Sequence, residues 1–456
     1  MAGRKQKSKR RRHRIVLLAA LGIAVAASAV ALLCWLGGLV ADCFKEDSEG
    51  EAARVSQREP VDPELLRRDS LLAQDVEHLI ARSNRLDSTL LGVYLYDATT
   101  KQTVYEHDGN KLFIPASCMK IPTAIAALEV LGMDHRYRTA LLMQGDMVGD
   151  TLMGRLLLRA DDDPMLLTLD TLAVQLRKAG IHAVRGTYDC ELAREDVLDS
   201  HPSTQTWDIR VGRVPLLMRG KSVVGDGLRA SLSRSEVDYK VDKNVQELYK
   251  SFAKEGELQE VASVETPLTD VITPMLIYSS NVKAEAVLFH LDCHEGLIAD
   301  KMMHWDQKHA IRVFWERQFD RGIHFPGVDL NKMRDMVMVD GSGLSPMNRL
   351  APSILVDMLR YAWEREDLRN YLIDEALASP GHPQRRGSLR GRMSGEAFRN
   401  RIFVKTGTLT SEGVSSLAGY IHGTDDHWYI FCIFNQRCPV DEGRLFQDEF
   451  CRLFVR

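Results

Sequence analysis

Ile121 to Leu131 is an almost uninterrupted apolar run of eleven residues closed by Gly132, and a lysine, Lys120, stands at its mouth. Such a run with a glycine stop reads as a core helix, so the chain must build a fold that wraps it. A lysine on so apolar a helix is costly unless it is paired or functional. Ser117 lies three residues earlier, on the same face of the first turn. There the positive end of the helix dipole lowers the cost of an alkoxide and helps depress an ammonium pKa. The pair therefore reads as a nucleophile and its base. Ser-x-x-Lys is a cheap pattern, however, and recurs at Ser251 to Lys254 and Ser280 to Lys283. Alone it is equally a helix cap beside a surface lysine, so its partners along the chain decide.

The N-terminus sets the compartment. Residues 1–14 carry eight Lys or Arg, and Ile15 to Ala41 then run without a charge, long enough to cross a bilayer. The basic side stays in the cytoplasm, so everything after Asp42 is expected outside it. The rival reading is a cleaved signal peptide, because Ala24-Val25-Ala26 and Ala29-Val30-Ala31 both fit a small-x-small site. Cleavage there would leave Leu32 to Val40 as a greasy terminus, which favours a retained anchor. The net charge of -4, with no basic stripe after the N-terminus, gives nucleic-acid binding no support. Eight Cys without a Cys-x-x-Cys pair indicate neither a disulfide framework nor a zinc site.

Residues 42–64 are charged, poor in aromatics and broken by Pro60 and Pro63, a tether to the folded body. Helical spacing over Leu65 to Ile80 begins that body. Leu90 to Tyr96 and Gln102 to Glu106 form a hairpin that delivers the chain to Ser117. Thr139 to Met143 and Leu152 to Leu158 read as strands. Asp161-Asp162-Asp163-Pro164 reads as a turn rather than a cation site, and Met165 to Ala179 as a helix stopped by Gly180. His201 to Glu265 has weak periodicity and reads as β-rich. Helices are expected at Leu268 to Ile277, Val282 to His290, Lys308 to Gly322 and Ala351 to Leu377. Strands follow at Arg401 to Thr408, Val414 to Ile421 and Trp428 to Phe434, and Arg444 to Phe454 closes as an amphipathic helix. The expected organisation is a basic tail (1–14), an anchor or signal segment (15–41), a linker (42–64), a core domain in two parts (65–138 and 266–456) and an inserted domain (139–265).

Two motifs complete the first. Ser279-x-Asn281 offers a hydroxyl that can pass a proton between amines, and an amide that can hold both a substrate carbonyl and Lys120. Lys405 with Thr406 offers a cation and a hydroxyl to a substrate carboxylate, and Gly407 lets a ligand backbone lie against the strand edge. Each of these two motifs occurs once in the chain, and the ordered triplet points to an active-serine site.

This triplet is the recognised signature of penicillin-binding proteins and class A β-lactamases. The chain more narrowly resembles the class C low-molecular-mass penicillin-binding proteins, the D-alanyl-D-alanine carboxypeptidase/endopeptidase family. The resemblance runs from about Leu90 to the C-terminus. It is carried by PASCMK (Pro115 to Lys120), YSSNVKAEAV (Tyr278 to Val287), DGSGLS (Asp340 to Ser345), GSLRGRM (Gly387 to Met393) and VKTGTLTSEGVSSLAGYI (Val404 to Ile421). The large insertion between Ser117 and Ser279 belongs to the resemblance too, while Ala160 to Pro164 and Thr204 to Leu232 depart from the family's pattern.

The resemblance implies a mixed α/β (α+β) fold, a serine DD-peptidase/β-lactamase-like sheet flanked by helices with a β-rich insertion. It implies acyl transfer on D-Ala-D-X ends of peptidoglycan stem peptides, with β-lactams as inhibitors and no metal or cofactor. Lys120 would take the Ser117 proton, Ser279 would pass it to the leaving amine with Asn281 alongside, and Lys405 and Thr406 would bind the terminal carboxylate. The N–H groups of Ser117 and Thr408 would form the oxyanion hole, and Gly407 would admit the substrate. Two alternatives compete. A β-lactamase needs a carboxylate to activate water, for which only Glu366 and Glu396 have the approximate spacing. A membrane-anchored receptor would bind wall peptides or β-lactams without turnover. Carboxypeptidase and endopeptidase preference and oligomeric state stay open.

Overall fold

The computed structural model describes residues 63–83, 86–193, 197–198, 214–242, 257–294, 311, 314–315, 317 and 335–456. The basic tail, the apolar segment 15–41, most of the linker, the Ser251 to Lys254 motif and most of the Lys308 to Gly322 helix lie outside these residues. The chain divides into two units, Met1–Leu66 and Arg67–Arg456. Of the first, only the opening turn of helix α1 (Pro63–Arg82) is described.

A five-stranded antiparallel sheet organises the second unit. Its hairpin β1 (Leu91–Asp97) and β2 (Gln102–His107) is followed by helix α2 (Lys120–Leu131). Strands β3 (Arg136–Val148), β4 (Thr151–Ala160), β5 (Ala183–Leu192), β6 (Asp238–Val241) and β7 (Gln259–Pro267) then build a second sheet. Helix α3 (Asp170–Lys178) joins β4 to β5, and α4 (Lys221–Arg234) lies between β5 and β6. Pro267 leads directly into α5 (Leu268–Ile277) and α6 (Asn281–His294). After α7 (Pro352–Glu364) and α8 (Glu366–Tyr371), strands β8 (Ile402–Leu409), β9 (Val414–His422) and β10 (Trp428–Asn435) finish the first sheet, and α9 (Val440–Arg452) closes the chain. The strand order is β2-β1-β10-β9-β8 in the first sheet and β6-β5-β4-β3-β7 in the second.

Strand β10 reads WYIFCIFN with almost no polar break because both of its faces are covered. Ile430, Cys432 and Phe434 face a core shared with α2, α5, α6 and α7, while Tyr429, Phe431 and Ile433 face α1 and α9. Each large side chain buried this way contributes roughly 1.5–3 kcal/mol. In the second sheet β4, β5 and β6 run parallel, whereas β3 pairs antiparallel with β4 and β7. One face carries α3 and α4 over Leu152, Leu156 and Leu158.

Three elements depart from the sequence reading. Helix α4 occupies part of the stretch taken as β-rich. Gly225 and Gly227 weaken its local signal, yet a Cβ at Gly225 would lie 2.6 Å from the Tyr188 hydroxyl, so packing demands the residue that propensity penalises. The helix expected from Met165 starts only at Asp170, because the Asp163 carboxylate takes the Met165 N–H at 2.8 Å and holds a turn. The long helix expected over Ala351 to Leu377 breaks at Arg365, whose backbone is extended and whose side chain pairs with Glu129 at 2.7 Å.

Candidate active site

Ser117 sits in a 3-10 turn, Ala116–Met119, that feeds α2, and Lys120 is the first residue of the helix proper. Pro122 is tolerated because it falls in that first turn, where its missing N–H costs nothing. The elbow is tight. Ala116 has a φ of 46°, and a Cβ on Gly343 would lie 1.8 Å from the Ala116 carbonyl oxygen. A Cβ on Gly407 would lie 2.8 Å from Pro115 O and 3.1 Å from Ser117 N. Glycine at both positions therefore lets the 340–345 loop and the edge strand β8 close on the Ser117 backbone from two sides.

Lys120 is completely buried. Its Nζ lies 2.9 Å from Ser117 Oγ, 2.8 Å from Asn281 Oδ1 and 2.6 Å from the Ser342 carbonyl oxygen. Burial, reinforced by the charge of Lys405, holds this amine well below its ordinary pKa against the pull of Asp340, Glu285 and Cys118. An amine so placed, shifted toward its neutral form beside a half-buried hydroxyl, can accept that hydroxyl's proton.

Ser279 stands in the break between α5 and α6 with a φ of 57°, a left-handed conformation unusual for a side-chain-bearing residue. That twist presents its Oγ to Lys405 Nζ at 2.8 Å, and Lys405 also donates to Thr406 O at 2.8 Å. Lys405 is buried, and burial pushes its pKa down to about 8. The Thr406 hydroxyl meets Ser388 Oγ at 2.6 Å, and Arg444 reaches Thr408 Oγ1 at 3.5 Å from α9. The residues singled out from sequence thus form two hydrogen-bonded groups, Ser117-Lys120-Asn281 and Ser279-Lys405-Thr406, with Gly407 against the Ser117 backbone and Thr408 farther along the same strand. Ser280, by contrast, caps the Lys283 backbone N–H at 3.4 Å, as a helix-start serine does.

The loop under Lys120 was not singled out for any role. Asp340 accepts from Gly343 N at 2.7 Å, Ser345 N at 2.6 Å and Asn348 Nδ2 at 2.9 Å. Buried Glu285 accepts the Ser342 N–H at 2.9 Å, and burial beside Asp340 pushes its carboxyl pKa up. One signal for Glu285 was present, since it follows Asn281 by four residues and so shares its face of α6. Cys118 is buried beside Lys405 O, and burial raises its thiol to about 12, which keeps it inert. Glu366 and Glu396 are both exposed. The acids at 161 to 163 are engaged in the fold: Asp161 takes Arg138 N at 2.8 Å, Asp163 takes the Thr266 hydroxyl at 2.5 Å, and Asp162 lies 3.7 Å from His290. Among the described residues no cluster of three or more His, Cys, Asp or Glu is arranged for a metal, and the five cysteines described in full are free thiols, Cys438 and Cys451 included.

Comparison with known proteins gives the chain its family and its fold. The D-Ala-D-Ala carboxypeptidase 3 (S13) family matches residues 72–208 and 241–450. A D-alanyl-D-alanine carboxypeptidase of Actinomadura sp. (strain R39) is 25% identical over 436 residues, covering 78% of this chain and 79% of that protein. The carboxypeptidase DacB of Haemophilus influenzae is 22% identical over 418 residues, covering 73% and 82%. The crystal structure of penicillin binding protein 4 from Haemophilus influenzae superposes with a TM-score of 0.58 at 19% identity, over 82% of this chain and 99% of that one. A predatory endopeptidase of Bdellovibrio bacteriovorus superposes with a TM-score of 0.52 at 16% identity, over 80% and 92%. At these identities the two superpositions show a shared fold.

Proposed function

The chain belongs to the D-Ala-D-Ala carboxypeptidase 3 (S13) family, and from that premise we propose that Ser117 is the nucleophile of a penicillin-sensitive serine peptidase cutting D-Ala-D-X ends of peptidoglycan. The observation that carries this is the buried Lys120 amine at 2.9 Å from Ser117 Oγ. Lys120 takes the hydroxyl proton as Ser117 attacks the peptide carbonyl, and the N–H groups of Ser117 and Thr408 hold the resulting oxyanion. Asn281 steadies Lys120 and the substrate amide. Ser279, hydrogen-bonded to Lys405, relays the proton that Lys120 took to the departing amine, which returns Lys120 to the free amine. Lys405 and Thr406 bind the free carboxylate of the leaving residue, and Gly407 leaves room for the substrate backbone along β8. Water then releases the acyl-enzyme. Residues 139–265 serve as an inserted domain beside this machinery.

The reaction takes place in the cell wall outside the cytoplasm, as the family's does. The eight basic residues before the uncharged stretch 15–41 support a retained membrane anchor with the catalytic body on the far side. Two measurements test the reading. Labelled penicillin should attach to Ser117, and an adduct mapped to Ser251 or Ser280 overturns the assignment. Digestion of purified muropeptides by the full chain in detergent should release D-alanine or split cross-links, and mass analysis of the products decides between those two activities.

A further inference from the structure

Lys120 Nζ has three polar neighbours, and a neutral amine has two N–H groups and one lone pair. The Ser342 carbonyl can only accept, and Asn281 presents its amide oxygen, so these two consume both N–H groups. The lone pair is left facing Ser117, whose hydroxyl must then be the donor in their 2.9 Å contact. The direction of the base is thus set by two acceptors, and both trace back to α6. Asn281 acts directly. The other acceptor, Ser342, lies on a loop whose N–H at that residue is bonded to Glu285, one helical turn beyond Asn281. Nothing in the proposed reaction uses Glu285, although a buried carboxyl is expensive to keep without a purpose.

The geometry points to Glu285 as a positioning residue that accepts the Ser342 N–H, pins Ser342 and thereby aims the Lys120 lone pair at Ser117. This rests on the proposed role of Lys120 as base. The groups facing the pair are Asp340 from the loop, Cys118 from the turn before α2, and Lys405 from β8. Burial and the Asp340 charge push Glu285 toward the protonated carboxyl, while burial and the Lys405 charge push Lys120 toward the free amine, so both shifts run in the direction that keeps Lys120 a base. An ionised Glu285 would instead favour the ammonium on Lys120 and disarm it.

Three variants of the full chain test this: Glu285→Ala, Glu285→Asp and Glu285→Gln. Acylation by labelled penicillin, kcat and KM on a D-Ala-D-Ala peptide, and the acid limb of the kcat/KM profile are read for each. Glu285→Ala and Glu285→Asp, which cannot reach Ser342, should slow acylation about tenfold or more with KM within about twofold. Glu285→Gln, which mimics the protonated acid, should recover acylation to within about threefold of native, with its acid limb displaced by less than about half a pH unit. If Glu285→Gln is as slow as Glu285→Ala, or moves the acid limb by a full pH unit or so, the neutral-acceptor role is wrong. If all variants match the native rate, or kcat and KM worsen together, Glu285 is not aiming Lys120. Should Glu285→Ala fail to fold, Glu285→Asp supplies the slow arm against which Glu285→Gln is compared. A native enzyme that is not acylated at Ser117 refutes the underlying function instead, a result distinguishable from all of these.

Discussion

Lys120 and Lys405 are shut away from solvent, held by a hydroxyl and carbonyl oxygens. On the outer face of the second sheet, Arg138, Arg155 and Arg159 instead stand at least partly in water, paired with Glu260, Asp189 and Glu191. The side chains are chemically similar and the consequences differ. In the cleft, lost hydration displaces pKa values, and both lysines move toward the neutral amine. On the sheet, water and salt screen each pair, which keeps the surface soluble and contributes little to stability. What sets a cation's pKa here is where it is placed, and the number of cations says nothing about it.

The sharpest way to break that contrast is Lys120→Ala. Removing the base should lower the rate of Ser117 acylation by about a hundredfold to ten-thousandfold, read with labelled penicillin after matching melting curves. A native rate would make Lys120 a buried ion with no chemical task. Next comes Asp340→Ala, which strands two backbone N–H groups and an Asn348 amide in the interior. At about 1–3 kcal/mol for each buried donor left unpaired, urea unfolding should register a loss of at least about 3 kcal/mol. Loss of under about 1 kcal/mol would mean that water replaces the carboxylate.

Lys405 should matter less and more selectively. Lys405→Ala should cost about tenfold to a hundredfold in kcat/KM on free-carboxylate peptides, because a charge-assisted bond is worth roughly 1.5–3 kcal/mol. Amide-capped peptides should suffer less. With its pKa lowered to about 8, Lys405 carries its charge below that pH and loses it above. The preference for free over capped termini should therefore shrink as pH rises through about 8, and a preference flat across that range denies Lys405 the carboxylate. The smallest effect belongs to the sheet. A double-mutant cycle on Arg159 and Glu191 should give a coupling below about 1 kcal/mol that fades with salt. A larger coupling would erase the contrast with the cleft.

The first sheet and the cleft were legible in the sequence because their signals are local. Apolar runs mark β1, β9 and β10, and Ser117, Ser279 and Lys405 each sit in a short motif whose chemistry shows in neighbouring letters. What lies between was harder to read. Helix α4 hides behind Gly225, a residue chosen for its clearance of Tyr188. Asp340 and Glu285 look like ordinary surface acids until the fold buries them against the loop below Lys120. Their importance comes from desolvation, and desolvation belongs to the assembled molecule.

The middle strand of the first sheet is β10, so Leu91 waits for Asn435 before its ladder can close. On a ribosome or an export channel, the β1–β2 hairpin emerges long before the strand it needs. Until then β1 keeps an open edge, α2 has no sheet to rest on, and Lys405 has not met Ser279. Long-range closure of this kind is slow and exposes unpaired strand to neighbours. A chain delivered only as far as α2 thus carries Ser117 and Lys120 without Asn281, Ser279 and Lys405, and the proposed machinery assembles only after strands far along the chain have arrived.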